Sequence, residues 1–166
     1  MAFKSVDQIL QVDARYAGLA VVDGDGDGVR PIDLAAHHAA VAHVALRGTA
    51  PDAVRNAFDR ARNLVLYAYF DYDLLVNAEI QALGAVELAL RLRLAGQTSD
   101  TLHNLVERAR KHGIFPKWSR AQPIDRAQSL VAMRNGQSHG TTDIHTPAMT
   151  MIVLEGCAWA IDCAFP

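Results

Sequence analysis

Arg134 and His139 stand five residues apart in the segment Met133-Arg134-Asn135-Gly136-Gln137-Ser138-His139-Gly140, and their chemistries are complementary. An imidazole gives or takes a proton near neutral pH, its reference pKa being about 6.5. A guanidinium stays charged and presents a fork of N–H donors that matches phosphate oxygens. Such a pair suits proton transfer beside an anionic or dipolar partner. The competing structural use of an arginine and a histidine at a helix end is capping and ion pairing. Glu79 and Glu87 are the candidates to pair with Arg134 in that case.

Other chemistry-bearing groups are weighed against plainer uses. Asp23-Gly24-Asp25-Gly26-Asp27-Gly28 matches the first six positions of an EF-hand loop, but position twelve is Leu34 rather than glutamate and Pro31 interrupts it. A solvated loop is the better reading. His37, His38 and His43 lack the i, i+4 spacing that aims two imidazoles at one zinc, so no metal site is expected. His145, close to Asp143, is a candidate contact for substrate phosphate or belongs to the cap of the following helix. Tyr67, Tyr69 and Tyr72 could stack on bases or fill a core. Arg126 and Tyr72 join His145 as candidate substrate contacts. No serine–histidine–aspartate set, phosphate-binding glycine loop or dinucleotide fingerprint occurs, and no organic cofactor is expected.

The net charge of -2 gives no global attraction to nucleic acid, yet the charge is uneven. Arg108, Arg110, Lys111, Lys117, Arg120, Arg126 and Arg134 face only Asp125 between residues 108 and 134, which predicts a basic side or a solvated helix face. With 51% hydrophobic residues in 166, the chain can bury a core. Cys157 and Cys163, six apart in one apolar helix, point to different sides and are not expected to pair. No basic-then-apolar leader opens the chain. The apolar stretch 148–165 is short for a membrane span and carries Glu155 and Asp162, so a soluble, cytoplasmic protein is expected.

The elements that would position these groups read as helices. A short helix is expected over Val6 to Leu19, then the Asp-Gly loop, then a helix over Ile32 to Leu46 ended by Gly48. Thr49 is a candidate cap for the next helix. Apolar residues at 54, 58, 61, 65, 68, 72 and 75 give that helix one buried stripe. Unbroken to Ala95 it would be roughly 65 Å long, so a break near Phe70 to Asp73, or an extension into a dimer, is expected. Residues 86–94 alternate in a strand-like way, but their leucine, alanine, glutamate and arginine content makes them helix. Ser99 or Asp100 should cap a helix ending at Lys111 or His112. Pro123 should start one with the stripe Ile124, Ala127, Leu130 and Val131, which delivers Arg134 and Asn135 and stops at Gly140-Thr141-Thr142. Thr146-Pro147 opens a last helix so apolar that it must be buried within the bundle or between subunits. With no alternation of strands and helices, the expected architecture is an all-α antiparallel bundle of about five to six helices.

In that context the segment 133–140 resembles the Arg-polar-x-x-x-His motif of the HEPN superfamily. The preceding helical hairpin, the loop after His139 and the final apolar helix agree with it, and residues 85–94 are similar to the second helix of many such domains. The resemblance covers residues 51–166 and leaves 1–50 as an N-terminal helical and loop extension. It implies an endoribonuclease working without metal, with Arg134, Asn135 and His139 catalytic. It also implies a homodimer whose two motifs face one cleft and supply two histidines, deployed as a toxin or an antiphage effector. A cognate antitoxin or a nucleotidyltransferase would be the partner. Because many members of the superfamily are not enzymes, the alternative it leaves is a catalytically silent helical dimer that binds a nucleotide or protein through the same groove. A weaker one is an antitoxin-like regulator.

Overall fold

The computed structural model describes residues 3–22, 28–119, 123–138 and 143–166, with the Val22 and Ser138 side chains left aside. Its described helices are α1 (Leu34–His43), α2 (Asp52–Ala68), α3 (Leu74–Leu94), α4 (Leu102–Lys111), α5 (Arg126–Ser138) and α6 (Pro147–Ala164). They form a helical bundle, as the hydrophobic periodicity predicts. The 21-residue α3, about 32 Å long at 1.5 Å per residue, is its axis and packs against α2, α4, α5 and α6. Leu75, Ala78, Ala82, Leu83, Ala85, Val86, Ala89 and Leu90 are buried around most of its circumference. The long segment breaks where expected, between α2 and α3. There the Tyr69 N–H turns back to the Leu66 and Tyr67 carbonyls.

What fixes that break lies in the N-terminal segment. The buried Asp13 carboxylate accepts from the Tyr72 N–H (3.1 Å), the Arg15 N–H (3.0 Å) and the Arg15 guanidinium, while the Asp13 N–H donates to the Tyr69 carbonyl (3.0 Å). One corner N–H, that of Tyr72, and one corner carbonyl, that of Tyr69, are thereby paired. Tyr16 inserts beside this corner, meeting the rings of His37, Tyr69 and Tyr72 edge-on at 5.2–5.5 Å between centroids. Residues before 51 thus share one core with the bundle, through Tyr16, Val41, Val44 and Ala50.

Several local expectations are corrected. The segment from Val6 to Leu19 holds two 3₁₀ turns, Val6–Gln8 and Ala14–Tyr16, rather than a helix. Its exposed Val6, Ile9 and Leu10 have no partner face to bury a helix against. A two-stranded antiparallel hairpin, unforeseen, pairs β1 (Ala20–Val22) with β2 (Val29–Pro31) across the Asp-Gly stretch, of which 23–27 lie outside the described residues. Thr49 does not cap α2: its hydroxyl donates to the Pro166 carbonyl and Pro51 occupies the cap position. Thr101, not Ser99 or Asp100, caps α4 by accepting from the Asn104 N–H. Asp100 instead accepts from the Gln97 N–H and Arg108. Helix α5 starts at Arg126, three residues after Pro123, with the Asp125 carboxylate accepting from the Gln128 N–H, and Ile124 is exposed. The expected stop at Gly140-Thr141-Thr142 lies outside the described residues.

Helix α6 is capped by Thr146 as its sequence indicates and buries Val153, Leu154, Cys157 and Ile161 in the core. By length and composition alone it is apolar enough to cross a membrane, with a mean hydropathy of 1.2 over 18 residues, but 44% of that window is buried in the bundle. It is not buried all round, because Met149 and Ile152 remain exposed. Both cysteines are free.

Candidate functional site

Two acidic residues of α3 organise the region where α5 ends and α6 begins. Glu87 accepts from the Nε of Arg134 on one oxygen (2.9 Å) and from Arg91, one turn further along α3, on the other (3.0 Å). Of the two candidate partners for Arg134, Glu87 is therefore the one used. The Arg134 side chain is 30% exposed, so of the interior and the edge that its position after Leu130 and Val131 allows, it takes the edge. Asn135, next to it, is exposed.

Glu79 lies eight residues earlier on α3, about 12 Å along its axis, within the apolar stripe Leu75, Ala78, Ala82 and Leu83, and is 2% exposed. A carboxylate in such a place is costly unless it is paired and fully hydrogen-bonded. Here three side chains supply the bonds. Thr150 of α6 donates its hydroxyl to Oε1 (2.7 Å), Gln137 of α5 donates its amide to Oε2 (2.7 Å), and Nδ1 of His145 meets Oε1 at 2.9 Å. An acceptor-only carboxylate assigns the donor role to all three, which places the His145 proton on Nδ1. Because higher numbers on α5 meet lower numbers on α3, the two helices run antiparallel here.

Between these groups opens a cleft of about 340 Å³ lined by Val76, Glu79, Met133, Gly136, Gln137, Asp143 and His145. Two of its walls are apolar and the rest carry polar groups, the composition of a ligand site. The Gln137 Oε1 is buried and has no hydrogen-bond partner. The Cys157 thiol, fully buried behind Glu79, is pushed up out of its usual range, first by burial and then by the Glu79 charge. It is inert in this state.

Arg134 and the adjacent Asn135 are on α5 where it meets Glu87, whereas His145 meets Glu79 eight residues earlier on α3 and lines the cleft, whose lining includes neither Arg134 nor Asn135; His139 lies outside the described residues. Arg126 is elsewhere. It stands two turns before Arg134 on α5, with its guanidinium 5.8 Å from the Trp159 ring centroid, beside a groove also lined by Arg110, Phe115 and Trp118. Tyr72 is not a stacking platform: its ring is 8% exposed, held between Tyr16 and the Arg15 guanidinium at 4.5 Å. Tyr69 is likewise buried, and Tyr67 alone of the three tyrosines is exposed. The histidine cluster splits, with His37 buried and Nε2 bonded to the Val65 carbonyl (2.8 Å). Among the described residues no group of His, Cys, Asp and Glu is arranged to hold a metal ion.

Three of the seven basic residues between 108 and 134 are paired with acids where they stand. Arg108 pairs with Asp100, Arg110 with Asp125, and Arg134 with Glu87. The linkage of Glu79 to His145, Gln137 and Thr150 was not anticipated from sequence, where Glu79 stood only as a partner for Arg134. A glutamate inside an otherwise apolar helical stripe is the signal that could have found it. Compared with family models, with curated proteins and with solved structures, the chain gives no match to any of them.

Proposed function

We propose that this chain is a metal-independent endoribonuclease of the HEPN type, acting as a homodimer in the cytoplasm as a toxin or antiphage effector. The observation that carries the reading is Arg134 on the segment that resembles the superfamily motif, its Nε fixed by Glu87 and its side chain 30% exposed at the edge of the bundle. In the reaction the 2′-hydroxyl attacks its own phosphate, a 2′,3′-cyclic phosphate forms and the 5′-oxygen leaves. Arg134 stabilises the charge on the phosphorane, His139 moves a proton, and Asn135 orients the histidine or the phosphate. Ile144, Met149 and Ile152, exposed apolar side chains at and just before the start of α6, support a surface that a second copy covers. A cognate antitoxin or a nucleotidyltransferase is the partner this reading predicts.

The same Arg134–Glu87–Arg91 chain favours a second reading, a silent helical module in which Arg134 serves structure and the cleft binds a nucleotide or protein partner. Cleavage of mixed RNA by the purified chain in excess EDTA separates the two. Activity that disappears in both His139→Ala and Arg134→Ala, with both variants folded, supports the ribonuclease. No cleavage by the parent protein, on any RNA, favours the module.

A further inference from the structure

We propose that His145 is a catalytic base in the cleft and that the buried Glu79 is its positioning residue, an inference that rests on the ribonuclease reading above. Glu79 holds Nδ1 of His145 at 2.9 Å, so the lone pair of the neutral ring is on Nε2. No hydrogen bond is formed by Nε2 among the described residues, and the side chain is 33% exposed with its Nδ1 edge turned inward to Glu79. The far edge of the ring therefore carries that exposure, and His145 lines the cleft. A carboxylate that orients an imidazole and sets its tautomer is the arrangement that makes a histidine an effective base.

The cleft has a second feature that asks for a ligand. The Gln137 amide donates its N–H to Glu79 and leaves Oε1 buried without a donor. A buried acceptor is costly to leave unmade, and a hydroxyl or base N–H entering the cleft would satisfy it. The volume of about 340 Å³ falls in the range of small-ligand sites, about 300–1,000 Å³, which suits one nucleotide unit lying against Val76 and Met133.

In the step assigned here the ribose 2′-hydroxyl gives its proton to Nε2 of His145, and the O2′–P bond forms. The P–O5′ bond breaks, and the departing O5′ takes a proton from the protonated His139. The products are a 2′,3′-cyclic phosphate and a 5′-hydroxyl. The His145 imidazolium, facing Glu79, returns its proton to water, and His139 regains one from water.

The test uses the full chain, a short RNA oligonucleotide and excess EDTA, comparing the parent with His139→Ala, His145→Asn and Glu79→Gln. Asparagine places an amide N–H where Nδ1–H stood, so the bond to Glu79 and the fold are kept, which a urea midpoint checks. Expected for His145→Asn is a fall in kcat of about 10²–10⁴-fold with KM within about threefold of the parent. The acidic limb of the pH–rate profile should also be lost. Glu79, Asp143 and, behind Glu79, Cys157 are the other titratable groups facing this ring, and all three remain in that variant. Glu79→Gln should lower kcat and displace the same limb without removing it. If His145→Asn cleaves within threefold of the parent while His139→Ala is dead, His145 is only a structural tie and the ribonuclease reading survives. A parent protein that cleaves no RNA overturns both.

Discussion

Replacing Glu79 with alanine tests the energetic account of the cleft without any assay of activity. The Thr150 hydroxyl is fully buried and loses its acceptor, which costs about 1–3 kcal/mol. His145 and Gln137 are partly exposed and can turn toward water, so each loses less, about 0.5–1 kcal/mol. Removing the buried methylene stem adds about 1 kcal/mol. The expected loss is about 3–6 kcal/mol, and with a slope of about 2 kcal/mol per molar urea the midpoint falls by about 1.5–3 M. Glu79→Gln keeps the shape, and the Gln137 amide can rotate to offer its oxygen, so the loss should be about 1–2 kcal/mol. The double variant Glu79→Ala/Thr150→Val removes donor and acceptor together and should lose less than the two single changes added, by about 1–2 kcal/mol. Urea unfolding followed by circular dichroism reads all four proteins. A loss below about 1 kcal/mol for Glu79→Ala would mean that the carboxylate is hydrated rather than held by three donors, and the tautomer argument for His145 would fall with it.

Three further outcomes are expected. A Cβ added at Gly48 would lie 1.9 Å from the Phe165 carbonyl oxygen, a backbone atom tied to Thr49 N–H, so Gly48→Ala should cost about 2–3 kcal/mol or more by thermal or urea unfolding. Ala95 closes α3 in the left-handed region at φ 47°, where a side chain is strained by about 1 kcal/mol, so Ala95→Gly should not destabilise the protein and is expected to raise its midpoint. Burial depresses the proton affinity of His37, which stays neutral in the folded protein but charges in the unfolded chain below about pH 6.5. Its contribution is therefore complete above that pH and is lost as the pH falls through the window beneath it. The urea midpoint should drop from pH 7.5 to pH 5, and less so in His37→Gln.

Much of the bundle was legible because burial periodicity survives in sequence. The stripe 54, 58, 61, 65, 68 became the buried face of α2, and Thr146-Pro147 opened α6 as its capping chemistry demands. The break between α2 and α3 could be placed from length alone, since one helix of that extent would outrun a small domain. Its cause could not, because the Asp13 carboxylate that satisfies the Tyr72 N–H is 59 residues away in the chain. The N-terminal turns and the hairpin were missed for a related reason. Short elements have weak intrinsic preference, and theirs is decided by what they pack against.

At the site the division is the same. Sequence alone determined that Arg134 follows a buried stripe on a helix, so that a 3.6-residue period turns it toward the interior or its edge, where a guanidinium needs an anionic or dipolar partner. It also placed a histidine five residues on. Which acid would bind Arg134, that Glu79 would be sealed among Gln137, His145 and Thr150, and that Tyr72 would be core rather than surface were decided by tertiary packing alone. Periodicity states which face of a helix is inward, but a hydrogen bond needs two faces in register, and register between α3, α5 and α6 exists only once they are packed.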